Sequence, residues 1–146
     1  MRKTLVVLAV LSMAPAGIAW AEGGYDPIET RQAGQDLLNA TFLGIRAVVA
    51  AKGDVKTLEA PAKAMARWIK QFPTQFPKGS EQGHNTKALP AVWTETAEFQ
   101  NDANNLATAA TKLAELAKAG DAAGVEAQVK VVGDACATCH KTFRAK

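Results

Sequence analysis

The run Asp121-Ala-Ala-Gly-Val125-Glu-Ala-Gln-Val129-Lys-Val-Val132-Gly-Asp-Ala-Cys136-Ala-Thr-Cys139-His140-Lys-Thr-Phe143 decides how this chain folds. Val125, Val129, Val132, Cys136, Cys139 and Phe143 recur at steps of four and three, so they line one face of an α-helix. Gly120-Asp121 stands just before this run: the glycine can end a preceding helix in the left-handed conformation, and the aspartate can cap the next one. The same pair occurs earlier as Gly53-Asp54.

Working outward from that helix, the segment before it carries Leu89, Val92, Thr96, Phe99, Ala103, Leu106, Ala110 and Leu113 in helical register, which predicts one continuous helix starting near Leu89-Pro90. Residues 73 to 88 contain Pro73, Pro77, Gly79 and Gly83 among polar side chains and read as one long surface loop. The segment before the loop shows Leu58, Ala62, Met65, Ile69 and Phe72 and stops ahead of Pro73. The first segment opens at Asp26-Pro27-Ile28-Glu29, where Asp26 can cap, Pro27 suits the first helical position and Glu29 can complete a capping box. Its stripe runs Arg31, Gln35, Leu38, Phe42, Ile45 and Val49, and Gly53 is placed to end it. Four amphipathic helices with short, long and short connections predict an all-α, antiparallel up-down-up-down four-helix bundle.

Composition agrees. Of 146 residues, 48% are hydrophobic but only 6% aromatic, and much of the apolar content is alanine, the best helix former and a poor strand residue. The length suits one domain. Residues 1–21 read as a cleaved secretory signal peptide: Arg2 and Lys3, the apolar run Leu5 to Leu11, then Ala19-Trp20-Ala21 as the cleavage site. That apolar run is too short to span a bilayer. The expected mature domain is 22–146, soluble, with no membrane attachment after cleavage. Losing the signal changes the balance of basic against acidic residues from 17 against 14 to 15 against 14, so no concentrated basic stripe for nucleic acid is expected.

Cys136-Ala137-Thr138-Cys139-His140 is a C-x-x-C-H run, the attachment signature of c-type haem. Positions three apart share a helix face, so both thiols can bond one side of a macrocycle while His140 offers a ring nitrogen to the iron. The cysteines also belong to the apolar stripe, which places the haem within the bundle. A thioredoxin-type dithiol would open a helix after a strand, and this pair sits near the end of the last helix. Zinc would need three or four ligands, and the only other Cys or His of the mature chain is His84. A structural disulfide suits an exported chain, but an i, i+3 bridge on a helix is strained. One covalently bound haem c is therefore expected, with His140 as the metal ligand.

On these residues the chain resembles cytochrome c′, the class II c-type cytochromes. The motif is C-terminal and runs on to Phe143-Arg144; Thr30-Arg31-Gln32 matches the family's Arg-Gln near the start of the first helix; Leu89-Pro90-Ala91-Val92-Trp93 with Phe99 matches its third-helix start. The resemblance implies a periplasmic, often homodimeric protein with a five-coordinate haem that binds NO and CO. It implies that the residue four after the first-helix arginine, here Gln35, lies over the iron; a shift of one turn makes Leu38 the covering residue. Gln35 either donates to a diatomic ligand or bonds a propionate or backbone group. Some class II relatives are low-spin carriers with a first-helix Met ligand, but here Met1 and Met13 leave with the signal and Met65 lies on the second helix.

Arg31 heads an interior stripe, where a haem propionate would serve its charge; the alternative is a surface ion pair. Gln32 follows as a second haem contact. Arg144, four after His140, is placed to approach the proximal side of the iron and tune it, or to meet the last carbonyls of the helix. Trp68 lies one position off its stripe and suits a partner surface or the core. His84 reads as a solvated loop residue. The sequence offers no catalytic acid–base pair near the motif, so an enzyme is not expected. Gas binding leads, and electron transfer with a periplasmic donor or acceptor is the alternative.

Overall fold

The computed structural model describes residues 24–146, so the signal-peptide reading lies outside the described residues. It is an all-α bundle of α1 (Pro27–Ala50), α2 (Glu59–Gln71), α3 (Ala91–Thr94), α4 (Thr96–Ala119) and α5 (Ala122–Phe143), with α3 and α4 together forming the third arm. Helix α4 is the central element, packing most extensively on α2 and α5, while α1 is more peripheral. Among the described residues no helix is long and apolar enough to cross a membrane.

Helix α1 starts as its sequence indicates. Asp26 accepts from the backbone N–H of Ile28 at 2.7 Å and of Glu29 at 3.1 Å, and Pro27 takes the first helical position, where no N–H is needed. Glu29 does not close the capping box: its carboxylate instead lies 3.7 Å from His84 Nδ1. The two Gly-Asp junctions both end in the double bond of a Schellman motif, but the glycine plays different parts. At the second, Gly120 is itself left-handed (φ 74°), with Gly120 N–H on Ala117 O and Asp121 N–H on Leu116 O. At the first, Lys52 takes the left-handed position (φ 52°), and Gly53 follows it, donating to Val48 O at 2.9 Å. The expectation that Gly53 is the left-handed residue is therefore off by one. Gly53 instead permits close approach, since a Cβ there would stand 3.2 Å from Val48 Cγ1.

The predicted single third helix is broken. Glu95 leaves helical geometry (φ −118°, ψ 46°) between α3 and α4. Thr94 and Thr96 flank the break and are weak helix formers, and Trp93 is tethered by its indole N–H to Phe76 O at 3.1 Å. The loop over 73–88 is also more than a surface connection. It begins with a 3₁₀ turn, Phe72–Gln75, buries Ser80, and ends in an antiparallel bridge between Ala88 and Arg144. Leu89 N–H donates to Phe143 O at 3.0 Å and Ala145 N–H to Lys87 O at 2.8 Å, so the C-terminus is sewn to the chain that enters α3.

Two apolar clusters fill the interior. The larger is aliphatic, with Ala62, Ala110, Leu113, Ala117, Val125 and Val132 fully buried. Small side chains at these positions let α2, α4 and α5 approach closely. The smaller cluster joins Val92, Phe99 and Phe143 to Phe72, Phe76, Trp93 and Cys139. Its rings meet mostly edge to face, Phe99 lying 5.0 Å from both Phe76 and Phe143, which is the favoured aromatic geometry.

Candidate haem site

Helix α5 carries the two thiols to the seam between these clusters. Cys136 packs against the aliphatic core and Cys139 against the aromatic one, each half-buried. His140 follows on the more exposed side. Burial pushes both thiols up, and Cys139, with Asp102 and Cys136 adding to the effect, reaches about 12. At neutral pH both are therefore protonated and unlike the low-pKa thiolates of redox dithiols. His140 is shifted the other way: desolvation first, then the positive charge of Arg144, holds its pKa below the ordinary histidine value. The imidazole is thus neutral at neutral pH, with a lone pair free for a metal.

Arg31 is buried to 3% exposure, as is Ser80. Its guanidinium donates to Gln75 O at 3.2 Å, Ser80 Oγ at 2.9 Å, Ser80 O at 2.7 Å and Thr86 Oγ1 at 3.0 Å. It also stacks over Phe76, 4.5 Å from the ring centroid. The surface-ion-pair reading fails, because all four bonds go to neutral oxygens of the 75–86 segment. Gln32 Nε2 donates to His84 O at 2.9 Å, so the Arg-Gln pair grips one loop. His84 is not merely solvated either: its Nε2 stands 2.9 Å from Asp26 Oδ2, fastening the loop to the cap of α1.

Of the remaining sequence-derived residues, Leu38 is part of the aliphatic core, whereas Gln35 is half-buried on the adjoining turn of α1. Arg144 is exposed in side chain, with its backbone fixed by the bridge to Ala88. Trp68 leans on the aliphatic core and is half-buried. Its ring lies where a Cβ of Gly34 would be, and its Nε1 is buried with no hydrogen-bond partner among the described residues. The sequence reading passed over Ser80, Thr86 and Gly34. A glycine inside a helical pattern, a sign of close approach, was the one available cue.

The donor set fits a c-type haem: two neutral thiols one turn apart on a helix, a neutral imidazole beside them, and apolar and aromatic walls. Comparison with known proteins points the same way. The family model described as Cytochrome C′ matches residues 26–144. Cytochrome c′ of Rubrivivax gelatinosus is 36% identical over 124 residues, which cover 83% of this chain and 95% of that protein. Its crystal structure superposes with a TM-score of 0.74, at 34% identity, over 82% of this chain and 95% of the other. A nitric oxide complex of a cytochrome c prime variant from Alcaligenes xylosoxidans superposes at TM-score 0.74 and 25% identity, over 82% of this chain and 94% of that one. A cytochrome c′ described as having an unusual ligand-controlled dimer dissociation matches at TM-score 0.77 and 28% identity, over 82% of this chain and 95% of that one.

Proposed function

This chain belongs to the cytochrome c′ family, and on that premise we propose that it is a periplasmic protein carrying one haem c that binds nitric oxide, and carbon monoxide by the same chemistry. The observation that carries the reading is the placement of Cys136, Cys139 and His140 at the seam of the two apolar clusters. In this reading Cys136 and Cys139 hold the haem through thioethers and His140 is the only protein ligand to iron. Bound there, the haem supplies a metal with one coordination position open to a small diatomic molecule.

The chain's own residues then define how that position is reached. Leu38 is already committed to the aliphatic core, which favours Gln35 as the α1 side chain toward the ligand. Its amide can donate to a diatomic molecule where a leucine could not. Arg144 lies toward the His140 side, and its charge acts on the imidazole. Arg31 and Gln32 hold the 75–86 segment against α1, keeping that edge closed to water. Leu37 and Leu43, 70% and 53% exposed on α1, support a homodimer through that helix.

The test is an absorption spectrum of the reduced protein before and after CO or NO. Broad, unsplit visible bands that shift on adding gas are expected. A narrow, split spectrum indifferent to CO would mean a tight sixth ligand, and electron transfer would replace gas binding as the function. Gln35→Leu is expected to change gas affinity and the CO stretching frequency.

A further inference from the structure

We propose that Lys87, Lys141, Arg144 and Lys146 form the surface at which the haem exchanges electrons with a protein partner that presents carboxylates, an assignment that rests on the haem reading above. Carbon monoxide binds haem iron only in the ferrous state, so a gas-binding haem needs a one-electron donor. The donor is oxidised as the iron passes from ferric to ferrous, and it must reach the haem from outside.

The four cations are exposed, and the backbone holds them together. The antiparallel bridge between Ala88 and Arg144, with Ala145 N–H on Lys87 O at 2.8 Å, lays the C-terminal residues beside the chain that enters α3. Lys87 Nζ donates to Lys146 O at 3.4 Å, while Lys141 follows His140 directly and the charge of Arg144 acts on that imidazole. Among the described residues, ion pairs are made by Lys63, His84 and Lys112 and by none of these four. Asp102 lies on the Cys139 side, where burial and then Glu98 raise its pKa with none of the four cations offsetting them.

The charge balance singles this end out. Arg2, Lys3 and Glu22 aside, residues 24–146 hold 15 basic and 13 acidic side chains. Without the four cations the count is 11 against 13, so the rest of the domain is net acidic and its positive excess sits beside the attachment motif. An α-carboxylate at Lys146 and the propionates of a haem, partly offset by ferric iron, lower that excess without reversing it. Complementing the dipole of α5 explains Lys141 at most, since Lys87 and Lys146 lie outside the helix. A local excess of one sign steers the approach of a partner of the other sign.

The experiment is stopped-flow oxidation of the ferrous, haem-loaded protein by anionic hexacyanoferrate(III) and by cationic tris(phenanthroline)cobalt(III). Comparing the ratio of the two rates largely removes any change in haem potential. Raising the ionic strength from about 10 mM to about 150 mM cuts the reach of surface charge from ~30 Å to ~8 Å. The rate with the anion is then expected to fall at least about threefold while that with the cation rises. At low salt, Lys87→Glu with Lys141→Glu is expected to lower the anion-to-cation ratio about tenfold or more. Lys52→Glu with Lys56→Glu makes the same change in net charge where Lys56 meets Gly120, before the start of α5, and is expected to alter the ratio less than about twofold. Equal effects of the two pairs would mean that only net charge acts, and no effect of either would mean that electrons enter elsewhere; both overturn the proposal. Poly-L-glutamate is expected to slow the hexacyanoferrate reaction of wild type and of the Lys52, Lys56 variant, but not of the Lys87, Lys141 variant. Slowing by oligodeoxythymidylate and not by poly-L-glutamate would make the surface a nucleic-acid site and overturn it as well. A purified wild type without haem would defeat the haem reading itself, whereas loaded protein with rates indifferent to the surface defeats this proposal alone.

Discussion

Around Ala62, Ala110, Leu113, Ala117, Val125 and Val132 the fully buried side chains are all aliphatic, whereas the end of the bundle near Cys139 collects aromatic rings and the buried pair Arg31 and Ser80. Both ends belong to the same helices, and α1 runs through both. At the first end, burial of small aliphatic groups suffices, and the helices approach as closely as alanine permits. At the second, polar groups enter the interior and are met individually: Arg31 by loop oxygens and Trp93 by Phe76 O. Buried polar groups cost free energy unless they are bonded, so an end that concentrates them is organised for more than stability.

The sharpest way to break this contrast is to remove the attachment chemistry. Replacing Cys136 and Cys139 together with alanine is expected to abolish covalent haem entirely, read as loss of haem staining on a denaturing gel, while far-ultraviolet circular dichroism of any protein recovered stays helical. Next in size is Arg31→Met, which keeps the apolar stem and removes the charge. It strands Ser80 O and Gln75 O and is expected to destabilise by about 3 kcal/mol in urea unfolding, since bonds from charged donors are worth ~1.5–3 kcal/mol each. A loss below 1 kcal/mol would mean the loop does not depend on it.

The two ends of α1 can be compared at single glycines. Gly44 has open space where a Cβ would go, while Gly34 has the Trp68 ring. Gly44→Ala is expected to stabilise by about 0.5–1 kcal/mol on helix propensity. Gly34→Ala should destabilise by about 1–3 kcal/mol through overpacking. Thermal unfolding of the two variants with the same sign would contradict the seating of Trp68. The smallest effect concerns pH. The Asp26 carboxyl is held below its ordinary value of 3.8 chiefly by the Glu29 backbone N–H, with Ile28 N–H and His84 adding to it against partial desolvation. A depressed folded pKa means that the stabilisation is present above about 3.8 and disappears as pH falls through the folded value. Wild type is expected to lose its advantage over Asp26→Asn in that acid window only; a difference that persists at lower pH would contradict the assignment.

The fold was largely legible because its signals are local. Helical spacing, the Asp26-Pro27 start and the Gly120 stop each act within a turn or two, and all hold in the structure. The misplacements have physical causes of the same local size. A lysine adopted the left-handed position ahead of Gly53, and two threonines with a tethered Trp93 broke the third arm at Glu95. The C-x-x-C-H run was legible for the same reason, being five consecutive positions. What surrounds them was not. Arg31 meets Ser80 across 49 residues, in a loop whose polar composition reads like solvent-exposed chain, and Trp68 on α2 meets Gly34 on α1. No spacing rule reaches that far; only the packed structure brings those groups together.

The most direct measurement is peptide mapping of the purified protein by mass spectrometry after tryptic digestion. The account predicts that the peptide Val131–Lys141, which contains Cys136, Cys139 and His140, carries the mass of one haem and has no thiol open to alkylation. Recovery of that peptide without haem, with both cysteines alkylated, would contradict it.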